Sequence, residues 1–168
     1  MTDRLESLEG GCACGHVRYR LVSKPMVVHC CHCRYCQRQT GTAFALNALI
    51  ESDRVELTHG EVENLTVATP SGRGQIIARC PACRVAVWSH YHMSGLRERI
   101  DFIRVGTLDN PDLCPPDVHI FTADKQSWVR LPEGARAVDI YYDYDETWSA
   151  ESLRRRAALF EAAGIPIL

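Results

Sequence analysis

The stretch Cys30-Cys31-His32-Cys33-Arg34-Tyr35-Cys36 decides how this chain is read, because four of its seven residues are cysteines. A short apolar run, Met26-Val-Val28, leads into it. Upstream stands a C-x-C pair, Cys12-Ala-Cys14, preceded by Gly10-Gly11; downstream stands a C-x-x-C pair, Cys80-Pro-Ala-Cys83. Cys114, before Pro115-Pro116, is the only one of the nine cysteines outside these groups. Nine is odd, so the cysteines cannot all pair within the chain. Residues 1–10 mix acidic, polar and apolar types and lack the basic start and apolar core of an export signal. A cytoplasmic, reducing setting is therefore expected, where disulfide frameworks are rare. Cysteines at short fixed spacings in such a chain point to metal binding or redox chemistry.

A structural zinc takes four ligands in a tetrahedron, with Zn–S bonds of about 2.3 Å. C-x-C and C-x-x-C are each short enough for two thiolates to grip one ion from a turn. Cys12 and Cys14 with Cys80 and Cys83 fit one such closed site. Four thiolates on Zn²⁺ leave two excess negative charges, so this site is expected to be inert and structural. Cys31, Cys33 and Cys36 then remain as a compact C-x-C-x-x-C. Three protein ligands leave the fourth position open, which is how catalytic zinc sites are built. With three thiolates the net charge is −1 and the ion is a weakened Lewis acid. Such a centre suits a soft ligand such as a thiol better than a strong hydroxide.

Other readings stay open at this point. All seven cysteines can hold metal purely for folding, with Cys30 or a histidine completing the second set. Cys30 can equally be a small buried residue of a strand. His32 lies between two candidate ligands, and neighbours in an extended turn point apart, so it reads as an orienting or exposed residue. His90 and His92 are two apart and read as an ordinary polar strand face. Arg34 and Arg38 flank the second group; they can attract a carboxylate or be solvated loop charges. Cys114 has no partner by spacing and reads as inert.

Working outward, short β-patterned runs dominate. His16–Val22 alternates, with Val17, Tyr19 and Leu21 on one side. Ala43–Ile50 alternates again, with Phe44, Leu46, Ala48 and Ile50 sharing a face. Further strands are expected over 54–58, 64–69, 75–79, 85–91, 100–105 and 118–121, with a turn at Pro70-Ser-Gly-Arg-Gly74. The C-terminal end differs: Ser149 can cap a helix over about 149–163, with Leu153, Ala157 and Phe160 as its apolar stripe, Arg154-Arg-Arg156 on its solvent face and Gly164 as its stop. A length of 168 residues suits a single domain, taken as 1–168. Hydrophobic residues are 46% and charged residues 24%, ordinary for a soluble globular chain. With 19 basic and 21 acidic residues the net charge is −2, which gives no pull toward nucleic acid or acidic membranes. No apolar run approaches the roughly 20 residues of a membrane helix.

Gly11-Cys-Ala-Cys-Gly15 with Arg18-Tyr19, then Cys31-His-Cys33-x-x-Cys36-Gln37 with Gly41 and Phe44, then Cys80-x-x-Cys83, resembles the glutathione-dependent formaldehyde-activating enzyme family, which also includes centromere protein V. The resemblance runs from about Gly10 to Leu131 and takes in His119-Ile-Phe121 and Trp128. It implies a mainly β fold of the β-tent, or Mss-four-like, kind with a C-terminal helix added. It implies two zinc ions per chain: a structural one on Cys12, Cys14, Cys80 and Cys83, and a catalytic one on Cys31, Cys33 and Cys36. It implies glutathione, or another small thiol, and a small aldehyde such as formaldehyde as reactants, joined by a carbon–sulfur lyase of the S-(hydroxymethyl)glutathione synthase type. The chain departs from the pattern at Arg84, where members often carry glycine, at the extra Cys30, and from Ser149 onward.

Two further function classes compete with the enzyme. One is a zinc-stabilised module that binds a protein. The other is a thiol redox protein, for which only Cys30 and Cys114 stand outside the candidate metal sets. A homo-oligomer is compatible with each.

Overall fold

The computed structural model describes residues 8–92 and 95–167. Along the chain run β1 (Leu8–Gly11), β2 (Arg18–Leu21), β3 (Val27–Cys31), α1 (Arg34–Thr40), β4 (Ala45–Glu51), β5 (Val55–His59), β6 (Glu63–Val67), β7 (Gln75–Arg79), β8 (Ala86–Tyr91), β9 (Ile100–Arg104), β10 (Val118–Ile120), α2 (Tyr144–Thr147) and α3 (Ala150–Ala163). Among the described residues the strands form two sheets, in the orders β1-β2-β5 and β10-β3-β4-β9-β8-β7-β6. The expected mainly β architecture with a C-terminal helix is what the chain adopts. No described helix is long and apolar enough to cross a membrane.

Most strands fall where the alternation placed them, with three instructive differences. β1 has no strand expectation behind it. It pairs antiparallel with β2, and Gly11 is forced by close approach: a Cβ there would stand 2.3 Å from the Val17 carbonyl oxygen. β5 and β6 flank Gly60 in sequence but part company in space, β5 joining β2 and β6 joining β7. β4 is not half-buried as its alternation suggests. Held between β3 and β9, six of its seven residues are buried, because both sheet faces are covered.

Two apolar clusters divide the interior. The first gathers Val17, Tyr19, Leu21, Ile50 and Ile103 between the sheets. The second gathers Met26, Leu49, Val118, Trp148 and Phe160 beneath α3. α3 begins at its expected cap, Ser149 Oγ accepting the Ser152 amide at 3.0 Å, and ends at Gly164, which takes φ +65°.

The buried row of α3 is Ser152, Arg156 and Phe160, while Leu153 and Ala157 are only half-buried. The three arginines do not share a solvent face. Arg154 is exposed, but Arg155 forks onto Glu51, with Nε to Oε1 at 2.7 Å, and also reaches the Lys24 carbonyl at 2.9 Å. Arg156 is buried with its guanidinium 4.0 Å from the Tyr144 ring centre. The sequence pattern misleads here because arginine's long stem lets it cover apolar surface while its head finds a carboxylate or a ring face.

Candidate functional site

The first cysteine group builds two matching turns. Val17 donates its amide to Cys12 Sγ at 3.2 Å, and Cys83 donates its amide to Cys80 Sγ at 3.4 Å. The second turn needs a left-handed residue after Cys83. Arg84 supplies it at φ +64° where glycine would be free of strain, and its side chain pairs with Glu63. The four sulfurs of Cys12, Cys14, Cys80 and Cys83 lie within 4.8 Å of one another. Cys12–Cys14 is 3.5 Å and Cys14–Cys80 is 3.7 Å. A tetrahedron of Zn–S bonds of about 2.3 Å has sulfur–sulfur edges of about 3.8 Å, so the set is already shaped for the ion. Burial opposes ionisation of Cys12, yet the Val17 amide and the neighbouring Cys14 and Cys80 thiols bring its pKa down to about 6.

The second group straddles the end of β3 and the start of α1. Cys31 is the last residue of the strand, Cys33 caps the helix and Cys36 sits in its first turn. An extended turn is expected around His32, but beyond it a seven-residue helix forms because Cys33 Sγ accepts the Cys36 amide at 3.3 Å and Gly41 closes the other end at φ +67°. Gln37 Nε2 donates to the His32 carbonyl at 2.6 Å and to the Asp124 carbonyl at 3.1 Å, which fixes α1 against the segment after β10. The sulfurs of Cys31, Cys33 and Cys36 lie within 4.8 Å of one another. Hydrogen bonds from Cys31 and then Cys36 hold the Cys33 thiol far below its ordinary pKa, and the Cys31 thiol is correspondingly raised.

These three cysteines line a cavity of about 660 Å³. That volume lies within the range of small-molecule sites. Its other polar lining includes Arg34, Arg104, His29 and Tyr141. Arg38, by contrast, is exposed and outside the lining. Arg104 donates to Asn47 Oδ1 at 2.6 Å; burial lowers its pKa, opposed by the nearby Cys36 sulfur. His29 is buried, which pushes its pKa down to about 3 and keeps it neutral. Tyr142 Oη accepts from Trp148 Nε1–H at 2.7 Å and shares a hydrogen bond with His29 Nε2 at 2.5 Å. The Tyr141 hydroxyl is buried, finds no hydrogen-bond partner of good geometry among the described residues, and has its pKa pushed well up by burial. None of Arg104, His29 and Tyr141 was singled out from sequence, since each reaches the cavity through pairing with distant segments.

The remaining candidates fall as follows. His32 is neither exposed nor at a loop tip: it is fully buried, its ring tilted against Phe44 at 5.5 Å and stacked on His119 at 5.4 Å. Cys30 is the buried strand residue anticipated, with its pKa raised to about 12 by desolvation, and Cys114 is likewise buried and raised. His90 and His92 do not share a strand face, because β8 ends at Tyr91. His90 Nδ1 instead meets Asp101 Oδ1 at 2.8 Å.

The family model described as glutathione-dependent formaldehyde-activating enzyme matches residues 7–124, about two thirds of the chain and all seven candidate cysteine ligands. This chain belongs to that family. A protein of Halomonas elongata, provisionally named a glutathione-dependent formaldehyde-activating enzyme, is 27% identical over 129 residues, covering 74% of this chain and 80% of that one. A solved Rhodobacter sphaeroides protein is 18% identical with a TM-score of 0.48, covering 65% of this chain and 97% of that one. The family membership connects the chain with glutathione and formaldehyde in general.

Proposed function

We propose that this protein is a zinc-dependent enzyme that joins a small thiol of the glutathione class to a small aldehyde such as formaldehyde, forming a carbon–sulfur bond. The observation that carries this reading is a set of three cysteine sulfurs, with no fourth protein ligand grouped with them among the described residues, lining a 660 Å³ cavity. Cys31, Cys33 and Cys36 would hold the ion, and Cys12, Cys14, Cys80 and Cys83 a second, structural one. Bound zinc supplies a soft, open position that favours the thiolate form of a thiol.

The rest follows from the chain's own residues. Arg34 at the cavity wall offers a guanidinium to a carboxylate of the thiol substrate. Arg104, buried beside Cys36, balances negative charge as the thiol loses its proton. The sulfur attacks the carbonyl carbon, the C=O π bond breaks, and its oxygen takes a proton. The Tyr141 hydroxyl, buried against Tyr142 and Tyr144 beside the cavity, would give that proton and recover the one released from the thiol. No oxidant or reductant is consumed. His29 stays neutral and positions Tyr142 next to Tyr141, the two rings stacking at 4.5 Å.

The redox alternative is disfavoured by Cys30 and Cys114, whose buried thiols are raised in pKa, the opposite of what a reactive thiol needs. Thiolate-rich sites suit a cytoplasmic, reducing compartment, and we treat residues 1–168 as one zinc-binding unit. The test is the rate at which S-hydroxymethylglutathione appears above the spontaneous rate. The zinc-loaded chain should accelerate it, and Cys33→Ser should abolish the acceleration while removing one zinc and keeping the fold. No acceleration by the loaded wild type, or full activity in Cys33→Ser, overturns the reading.

A further inference from the structure

β3 carries ligand-type side chains on both of its faces. His29 and Cys31 line the cavity. Cys30 points the other way, as strand alternation requires, and His32 follows on that same side. In the parallel pairing of β10 with β3, His119 lies opposite Cys30. Cys30, His32 and His119 each offer one ligand atom, and the three atoms lie within 4.8 Å of one another.

We propose that Cys30, His32 and His119 form a third metal site, for zinc or another late first-row divalent ion, on the back of the strand that holds the cavity triad. The distances fit. A tetrahedral site with Zn–S of about 2.3 Å and Zn–N of about 2.0–2.1 Å has S···N edges of about 3.6 Å and N···N edges of about 3.4 Å. Cys30 Sγ to His32 Nε2 is 3.5 Å, and His32 Nε2 to His119 Nδ1 is 3.1 Å. Burial points the same way: relative exposure is 2% for Cys30, 0% for His32 and 7% for His119. An ion between them would engage His32 Nε2, His119 Nδ1 and the Cys30 sulfur at once, in place of the single proton that the two rings share.

The donor set suits the assignment. One thiolate and two neutral imidazoles are borderline-soft ligands that favour zinc and its late first-row neighbours over magnesium or calcium. The filled site carries 2 − 1 = +1, whereas the cavity triad with zinc carries −1, so the two faces of β3 attract each other. Phe44 against His32 and the burial of all three ligands screen the site from solvent. It pins β10, a three-residue strand at the sheet edge, to β3.

The test counts metal and reads its ligands on the full chain loaded with Zn²⁺ and freed of excess. The other two candidate sites hold sulfur ligands only, so histidine scattering in zinc X-ray absorption reports this cluster alone. Three zinc ions per chain with a histidine contribution are expected from the wild type. Cys30→Ser and His119→Gln should each leave two zinc ions, remove the histidine contribution and keep the strand signal in circular dichroism. Two zinc ions with a sulfur-only shell in the wild type overturn the proposal. So does a histidine contribution that persists unchanged in His119→Gln. The wild-type measurement decides even where a variant fails to fold, and it is independent of the reaction assigned to the cavity.

Discussion

The Cys12/Cys14/Cys80/Cys83 group and the Cys31/Cys33/Cys36 group use the same side chain for opposite ends. The first is assembled by two turns that cradle sulfur with backbone amides, and its four sulfurs face one another. The second is built across a strand–helix junction, and its three sulfurs border an open cavity. Two short turns, brought together from distant parts of the chain, make a compact set of four sulfurs. A strand that ends where a helix begins leaves one side of its sulfur set exposed to whatever enters. On the proposed reading, ligand count and local backbone, rather than residue type, separate a brace from a reactive centre.

Breaking the brace should have the largest effect. Cys80→Ser removes a ligand of the closed site, and structural zinc contributes on the order of 10 kcal/mol to folding in small zinc domains. Cooperative thermal unfolding followed by circular dichroism should vanish in this variant. Cys33→Ser should melt close to the wild type, and equal loss of fold in both would erase the distinction.

A second experiment asks whether the open group depends on α3 while the closed one does not. Arg155→Ala strips a buried pair and leaves Glu51 with Arg54, 3.4 Å away, as its remaining partner. Removing one partner of a buried pair costs about 3 kcal/mol, and Arg54 offsets part of that. The melting temperature should fall, and activity should fall with it, while metal analysis should show zinc retained on the closed group.

Tyr141→Phe sharpens the contrast further, because it removes only a hydroxyl at the cavity wall. A lost proton donor lowers turnover by about 100-fold. Zinc content should be unchanged and KM nearly so, which a general packing defect would not produce.

The smallest effect concerns His90 on β8, which pairs with Asp101 on β9. Burial lowers the pKa of His90, but its bond to Asp101 outweighs that and raises it above the ordinary value. The pair therefore adds stability that is fully present below the unfolded pKa of about 6.5 and is lost as pH rises through the higher folded value. His90→Asn should cost on the order of 1 kcal/mol at pH 6 and progressively less at higher pH, read from denaturant midpoints.

What the sequence revealed tracks the range of the interactions involved. Both cysteine groups were legible because each half of a ligand set is fixed by spacings of two or three residues, and because Gly10-Gly11 and Pro81 mark the turns. The strands were legible from alternation, and α3 from Ser149 and Gly164. The helix α1 was hidden, since its cap is a cysteine sulfur rather than a serine or aspartate. The Cys30/His32/His119 cluster was hidden because it depends on the register of two parallel strands nearly ninety residues apart, and a one-residue slip would turn Cys30 and His32 to the other face. Arg155 and Arg156 were misread because a helix face rich in arginine looks solvated until Glu51 and Tyr144 are placed beneath it.

The segment after residue 124 lies outside the family match, yet it threads back alongside β10: Phe121 donates its amide to Ile140 at 2.9 Å and Val138 donates to His119 at 3.0 Å. Through that return it delivers Tyr141 to the cavity and Tyr142 to His29. The cysteine scaffold and the wall that faces it thus come from different stretches of one chain, packed into one shared core. The shape of the chamber is set by residues whose substitution changes none of the thiols.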